Sequence, residues 1–391
     1  MESFAYGINN MGEVVGYGTG PLVPNSEGSA EVRQFSAHAY KWPGAGALED
    51  LGHLGKNESF AYSINDNGTV VGRGLVVTSA PGATEVVQTL AYRLPLGGEM
   101  QRLPAPSQTI STMSATSVAQ DEHVVGYALA QVVTGDNNYY SRGFIWSPVT
   151  QTTVLIPSLE EKSASGLRDV NSTAGKAVGY AVKNGQQVAI QISLSETSTL
   201  VEIGGLGGVS SAANAINSQG VVVGGSFVAD NSGSQGFIYH EGTVRSIGLL
   251  DHQFTYSSAN DINDEGLVVG TGQASRAPSR YHAVVFDSAQ AEAVLVDLNA
   301  KIDCADDLKN RWVLTEAVAV NNNGHIIGYG AKGGITRAFL LTPSADSTPP
   351  IQCEALPSDI ENKSGGGSAM PLGLVLSSLM IWMRRRKRRS V

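Results

Sequence analysis

A short text recurs along this chain and restricts the folds open to it. In its clearest copy it runs from Ser59 through Phe60, Ala61, Tyr62, Ser63, Ile64, Asn65, Asp66, Asn67 and Gly68 to Val70, Val71 and Gly72. Ala61, Tyr62 and Ile64 suit a strand, Asn65 to Gly68 suit a tight turn, and Val70 and Val71 begin a return strand. Good copies surround Asn9 and Gly12, Asn217 and Gly220, Asn263 and Gly266, and Asn321 and Gly324. Worn copies follow Ser117 and Asp169. The closing glycines are Gly16, Gly72, Gly126, Gly179, Gly224, Gly270 and Gly328, at spacings of 45 to 58 residues. A period of this length marks a repeat architecture.

Each of the first six copies is followed by two further strand-like runs, such as His38 to Trp42 and Leu48 to Leu51, or Gly236 to Tyr239 and Val244 to Gly248. No sustained helical periodicity interrupts them. Short strands joined by tight turns pair antiparallel, because parallel neighbours need long crossovers. Four short strands per unit and seven units predict an all-β, seven-bladed β-propeller over residues 1–342. A polar linker over 343–364 and a glycine-rich, hydrophobic and basic segment over 365–391 follow. The seventh unit has no convincing fourth strand, so ring closure calls for an irregular seam or for residues upstream of Met1. An opening already inside a repeat, with no signal peptide, agrees with an upstream segment. A cytoplasmic protein is the alternative.

The turn chemistry explains the asparagine and glycine. Glycine takes the left-handed backbone that a three-residue hairpin needs, and Asn or Asp bonds the backbone at the turn. Asn9, Gly12, Asn65, Gly68, Asn217, Gly220, Asn263, Gly266, Asn321 and Gly324 are therefore read as structural. Calcium at these turns would need the alternating acidic ladder of an EF-hand, which the repeat does not offer. No zinc spacing, phosphate loop or nucleophile elbow occurs, and nothing calls for a metal or cofactor. Cys304 and Cys353 flank the last unit and are a candidate disulfide; the alternative is two separate core thiols.

Charge excludes a nucleic-acid partner. The chain has 35 acidic and 26 basic residues, and six of the basic ones form the run Arg384 to Arg389. The remaining 20 against 35 leave a body near −15, which would repel phosphates. The basic run directly follows an apolar segment from Met370 to Met383, which predicts a C-terminal hydrophobic helix with its basic end on the cytoplasmic side.

The C-terminal pattern of Gly365, Gly366 and Gly367, a short hydrophobic helix, and Arg384, Arg385 and Arg386 resembles the GlyGly-CTERM sorting signal of Gram-negative bacteria. That resemblance implies transient anchoring in the inner membrane, cleavage near the glycines by a rhombosortase protease, and delivery by secretion machinery to the surface or medium. The repeats resemble the HAF family of putative extracellular repeat proteins, through His38-Ala39-Tyr40-Lys41-Trp42, Leu51 to Gly55 and Ile64 to Gly72. The resemblance spans about residues 3 to 342 and implies fold and location, with no activity to carry over.

Insertions between the second and third strands gather on one face of a repeat protein. The insert from Val133 to Tyr140 places Asp136, Tyr139 and Tyr140 together as a candidate loop for an extracellular glycan or protein ligand. A solvent loop with one anchored tyrosine is the plainer reading. His38 and His282 occupy one repeat position that most copies replace, which suits a structural role. Asp169 and Asp261 precede their turns at equivalent positions and are the candidates to face a central channel. The principal expectation is a non-catalytic secreted or cell-surface binding module, with no catalytic residue assigned. The second reading is a polysaccharide hydrolase or lyase that uses channel carboxylates.

Overall fold

The computed structural model describes residues 2–19, 22–24, 31–33, 37–77, 86–133, 135–303 and 311–344. Cys304, Cys353, Gly365 to Gly367, Arg384 to Arg386 and the expected C-terminal helix lie outside them. Among the described residues no helix is long and apolar enough to cross a membrane.

The repeat folds as the alternation and turns require. In the fifth unit Gly207–Ile216, Val222–Val228, Ser234–His240 and Thr243–Ser246 follow one another across an antiparallel sheet. The turn glycines Gly12, Gly68, Gly220, Gly266 and Gly324 hold φ between +74° and +83°. The closing glycine answers a different need. A Cβ on Gly224 would lie 2.1 Å from the Ala212 carbonyl oxygen, and the same clash recurs at 1.9 to 2.1 Å for its six counterparts. Hairpin strands approach so closely there that only glycine fits.

The sheets surround an axis as a β-propeller-like ring, but the expected seven four-stranded blades are corrected. Counted as continuous sheets of at least four strands, there are five blades, four with four strands and one with eight. The second and third units fuse where Thr112 pairs parallel with Thr89. The last unit has three strands, Trp312–Val320, Ile326–Lys332 and Ile335–Leu341. A separate hairpin joins Leu22–Pro24 to Glu31–Arg33.

Apolar cores lie between successive units. Ala215, Val223 and Ile238 of the fifth unit pack on Ala259, Ile262, Val268 and Phe286 of the sixth. Val269 and Ala283 of the sixth pack on Leu314, Ala317 and Phe339 of the last. Each fully buried aliphatic or aromatic side chain contributes about 1.5–3 kcal/mol, so neighbouring units hold one another in place.

The ring closes on itself. Asn321 Nδ2 donates to the Asn9 carbonyl at 2.9 Å, and the Asn322 amide donates to Asn10 Oδ1 at 2.8 Å. Phe4 meets Tyr329 edge-on at 5.5 Å. The described first and last units thus meet through side chains, and the last unit has no fourth strand among its described residues.

Candidate functional site: the axial channel

The first strand of every unit carries a bulge just before its turn. It falls between Ala5 and Gly7, Ala61 and Ser63, Ala115 and Ser117, Leu167 and Asp169, Ala213 and Ala215, Ala259 and Asp261, and Ala317 and Ala319. A bulge leaves one residue out of the ladder and re-aims its side chain. The released residues include Thr116, Arg168, Asn214 and Asn260. Each reaches forward to the next unit: Thr116 to the Leu167 carbonyl at 3.1 Å, Arg168 to Asn214 Oδ1, Asn214 to the Ala259 carbonyl at 2.7 Å, and Asn260 to the Ala317 carbonyl at 2.9 Å.

The turn asparagines form a second tier. Asn9, Asn65, Asn217, Asn263 and Asn321 are only 1 to 4% exposed. Each Oδ1 accepts the amide four residues on, at 2.8 to 2.9 Å. Each Nδ2 donates to a backbone carbonyl of the next unit: Asn65, Ala119, Asn263, Asn321 and Asn9 supply those oxygens at 2.9 to 3.1 Å. The side chain is therefore a turn element and an inter-unit tie at once. The residues after these asparagines make a third tier in the same direction, with Asn10 donating its amide to Asp66, Ser218 to Asp264, and Asp264 to Asn322. With both oxygens of Asp66 accepting from Asn10, at 2.7 and 2.9 Å, that carboxylate serves the ring. Among the described residues no group of His, Cys, Asp or Glu could hold a metal ion.

The tiers frame a cavity of about 260 Å³ at the turn face, lined by all seven units. Asp169 and Asp261 immediately precede its lining residues Val170 and Ile262 in the chain. Both are partly accessible at the wall yet surrounded by protein. Asp169 accepts the Ser117 hydroxyl at 2.7 Å and the Ile216 amide at 2.9 Å. Asp261 accepts the Val320 amide at 2.8 Å and its own neighbour's, Ile262, at 2.9 Å. Burial, and next to it the charge of Asp169, push Asp261 up to about 7 despite those two amides. Burial raises Asp169 as well, against the pull of Ser117 and Ile216.

At the opposite mouth the wall is divided. Phe4, Tyr6, Tyr17, Phe60 and Tyr62 form an aromatic half, with ring centroids 4.7 to 6.2 Å apart. Arg73 lies 4.7 Å over the Phe60 ring. Glu316 stands at its edge, 8% exposed, accepting Tyr329 Oη at 2.5 Å and Asn260 Nδ2 at 3.3 Å. Burial holds its carboxyl above the usual range, outweighing both hydrogen bonds.

These three buried carboxyls argue against the expectation of a non-catalytic binding module. A carboxyl that keeps its proton near neutral pH beside a second acid is suited to proton transfer. Sequence position singled out Asp169 and Asp261; Glu316 was missed. The signal available for it was an acid where the aligned positions carry Phe4, Phe60, Ser114, Gly166, Ala212 and Ser258.

Elsewhere the expected loop is bonded within itself. Asp136 accepts Tyr140 Oη at 2.8 Å and faces Lys162 Nζ at 3.4 Å, while Tyr139 stays exposed. The Asn138 amide first, then Tyr140, hold Asp136 below the ordinary range. The two repeat-equivalent histidines pair with the acids of their fourth strands, His38 with Asp50 at 2.9 Å and His282 with Asp297 at 2.7 Å.

No protein-family model and no curated protein matches the chain. Among solved structures it is similar in shape to TolB from Acinetobacter baumannii, at 11% identity and a TM-score of 0.42, over 78% of this chain and 73% of that one. A puromycin hydrolase aligns at 12% identity and 0.49 over 90% of this chain, and a Mycobacterium tuberculosis puromycin-hydrolyzing peptidase at 10% and 0.45 over 88%. The chain spans 55% and 52% of the length of those two hydrolases. Likeness at this level assigns no activity. The fold and the channel themselves define the class: a β-propeller with buried carboxyls around its axis.

Proposed function

We propose that this propeller is an extracellular polysaccharide hydrolase or lyase whose channel carboxyls supply the acid–base chemistry. The observation that carries the reading is Asp261, held up to about 7 by burial and by Asp169. Burial and the charge of Asp169 both favour the protonated form of Asp261, which makes Asp261 the proton donor in this reading. Glu316 adds a carboxyl that burial holds above its usual range, beside aromatic rings whose faces suit the apolar side of a sugar. The resemblance of the tail to a sorting signal supports export, with cleavage by a sorting protease near Gly365.

The test is turnover. The full chain is incubated with neutral and acidic polysaccharides between pH 5 and 8, following new reducing ends for a hydrolase and unsaturated ends for a lyase. Product that falls at least about 100-fold in both Asp261→Asn and Glu316→Gln, with the thermal midpoint kept, supports the assignment. A folded wild type that releases nothing from any of them, or variants as active as wild type, ends it.

A further inference from the structure

Arg168 is the one bulge residue that brings a full charge into the channel wall of its unit and its neighbours Thr116, Asn214 and Asn260. Its Nη1 donates to Asn214 Oδ1, and its guanidinium lies 5.4 Å from the Tyr180 ring centroid. Nη2 is sealed from bulk solvent and has no hydrogen-bond partner. Among the described residues no carboxylate pairs with it, although the body of the chain carries an acidic excess. A buried, unpaired cation is costly, and burial lowers the affinity of this guanidinium for its proton. The residue also borders a cavity, where its charge is open to an anionic ligand.

The space for that ligand adjoins the residue. A cavity of about 30 Å³ is lined by Arg168 together with Ser210, Ser211, Ser226, Ser234, Tyr256 and Ser258. It is a hydroxyl-rich wall with no acidic side chain. Its volume admits one or two oxygen-sized groups and is too small for a tetrahedral dianion. A guanidinium beside hydroxyl donors is matched to a planar carboxylate, the charge-assisted pairing that is stronger than a neutral hydrogen bond. On the far side of the same mouth stand the aromatic rings around Tyr6 and Tyr17.

We propose that Arg168 and the serine-lined cavity beside it form a receptor for a carboxylate group, carried either by a small free acid or by a uronic-acid sugar. The proposal is independent of the acid–base chemistry above: a chain with no turnover would still bind.

The experiment is calorimetric titration of the full chain with acetate, with glucuronate, and with a uronate oligosaccharide, against chloride at matched ionic strength. Wild type is expected to bind a carboxylate, with affinity lost at least about tenfold in Arg168→Gln and in Ser210→Val, which fills the cavity while leaving the Asn214 contact intact. Equal binding of acetate and glucuronate identifies a free-acid receptor; binding of glucuronate and its oligosaccharide alone identifies the sugar. Heat no larger than that of chloride, or undiminished binding by a folded Ser210→Val, overturns the proposal. If Arg168→Gln does not fold, the Ser210→Val result decides.

Discussion

Gly224 and Gly225 are adjacent and chemically identical, yet they answer to different constraints. A Cβ on Gly224 would run into the Ala212 carbonyl at 2.1 Å, whereas one on Gly225 meets nothing nearer than Ser258 Oγ at 3.8 Å. Gly224→Ala is expected to cost about 3 kcal/mol, by forcing strands apart, and Gly225→Ala less than about 1 kcal/mol. Denaturant unfolding of the two variants side by side measures the difference. Asn263 shows how a polar side chain can be as structural as a core leucine. Alanine there would strip the Leu267 amide of its partner at 2.8 Å and remove the 3.0 Å tie to the Asn321 carbonyl, which keeps the Gly324 amide. With about 1–3 kcal/mol for the amide left unpaired and about 1 kcal/mol for the lost tie, Asn263→Ala is expected to lose about 2–4 kcal/mol. Asn263→Asp would keep the acceptor and lose the tie to the next unit, so it should recover only part of that.

At the scale of the element, two kinds of acid give opposite pH responses. Burial alone would raise Asp297, but the His282 hydrogen bond, the His282 charge and the Asn299 amide hold it below its ordinary 3.8. Its contribution to stability is present above the unfolded value and is lost as pH falls through the folded one. Asp297→Asn should therefore remove part of the acid sensitivity of the sixth unit. Asp261 behaves the other way. Raised from 3.8 to about 7, it binds its proton more tightly in the folded protein. Stability from this group is full below about pH 4 and declines as pH rises toward 7, by at most about 4 kcal/mol. Thermal midpoints across pH 4 to 8 should show a decline in wild type that is shallower in Asp261→Asn. An unchanged slope would mean that Asp261 is ionised throughout.

At the scale of the whole molecule, the asparagine ties run one way round the axis and meet between Asn321 and Asn9. The first and last units are remote in sequence, so this seam joins the ends of the array. Asn321→Ala is expected to loosen the seam, giving faster hydrogen exchange in the first and last units than Asn217→Ala, whose tie lies mid-array. If the tail is a sorting signal, intact mass of the protein from culture medium should end near Gly365. A product that retains Arg389 in the membrane would indicate anchoring without cleavage, and recovery of that product from the cytosol would remove the export reading.

The sequence by itself determined the repeating unit, its turns and its antiparallel order, because these follow from local chemistry: φ above zero at Gly68, an amide cap at Asn65, and alternating strands between them. It also pointed to Asp169 and Asp261, since a repeat makes an unusual residue visible against its copies. Blade count was decided by tertiary structure. The Thr112–Thr89 bridge that fuses two units joins strands through a contact no local pattern encodes, and the last unit closes by side chains in place of a fourth strand. The channel chemistry was likewise beyond reach. The pKa of Asp261 depends on burial and on Asp169, 92 residues away in the chain, and the exposed or hidden state of Arg168 depends on which wall a bulge turns it toward. Distances across the axis are set only when the ring shuts.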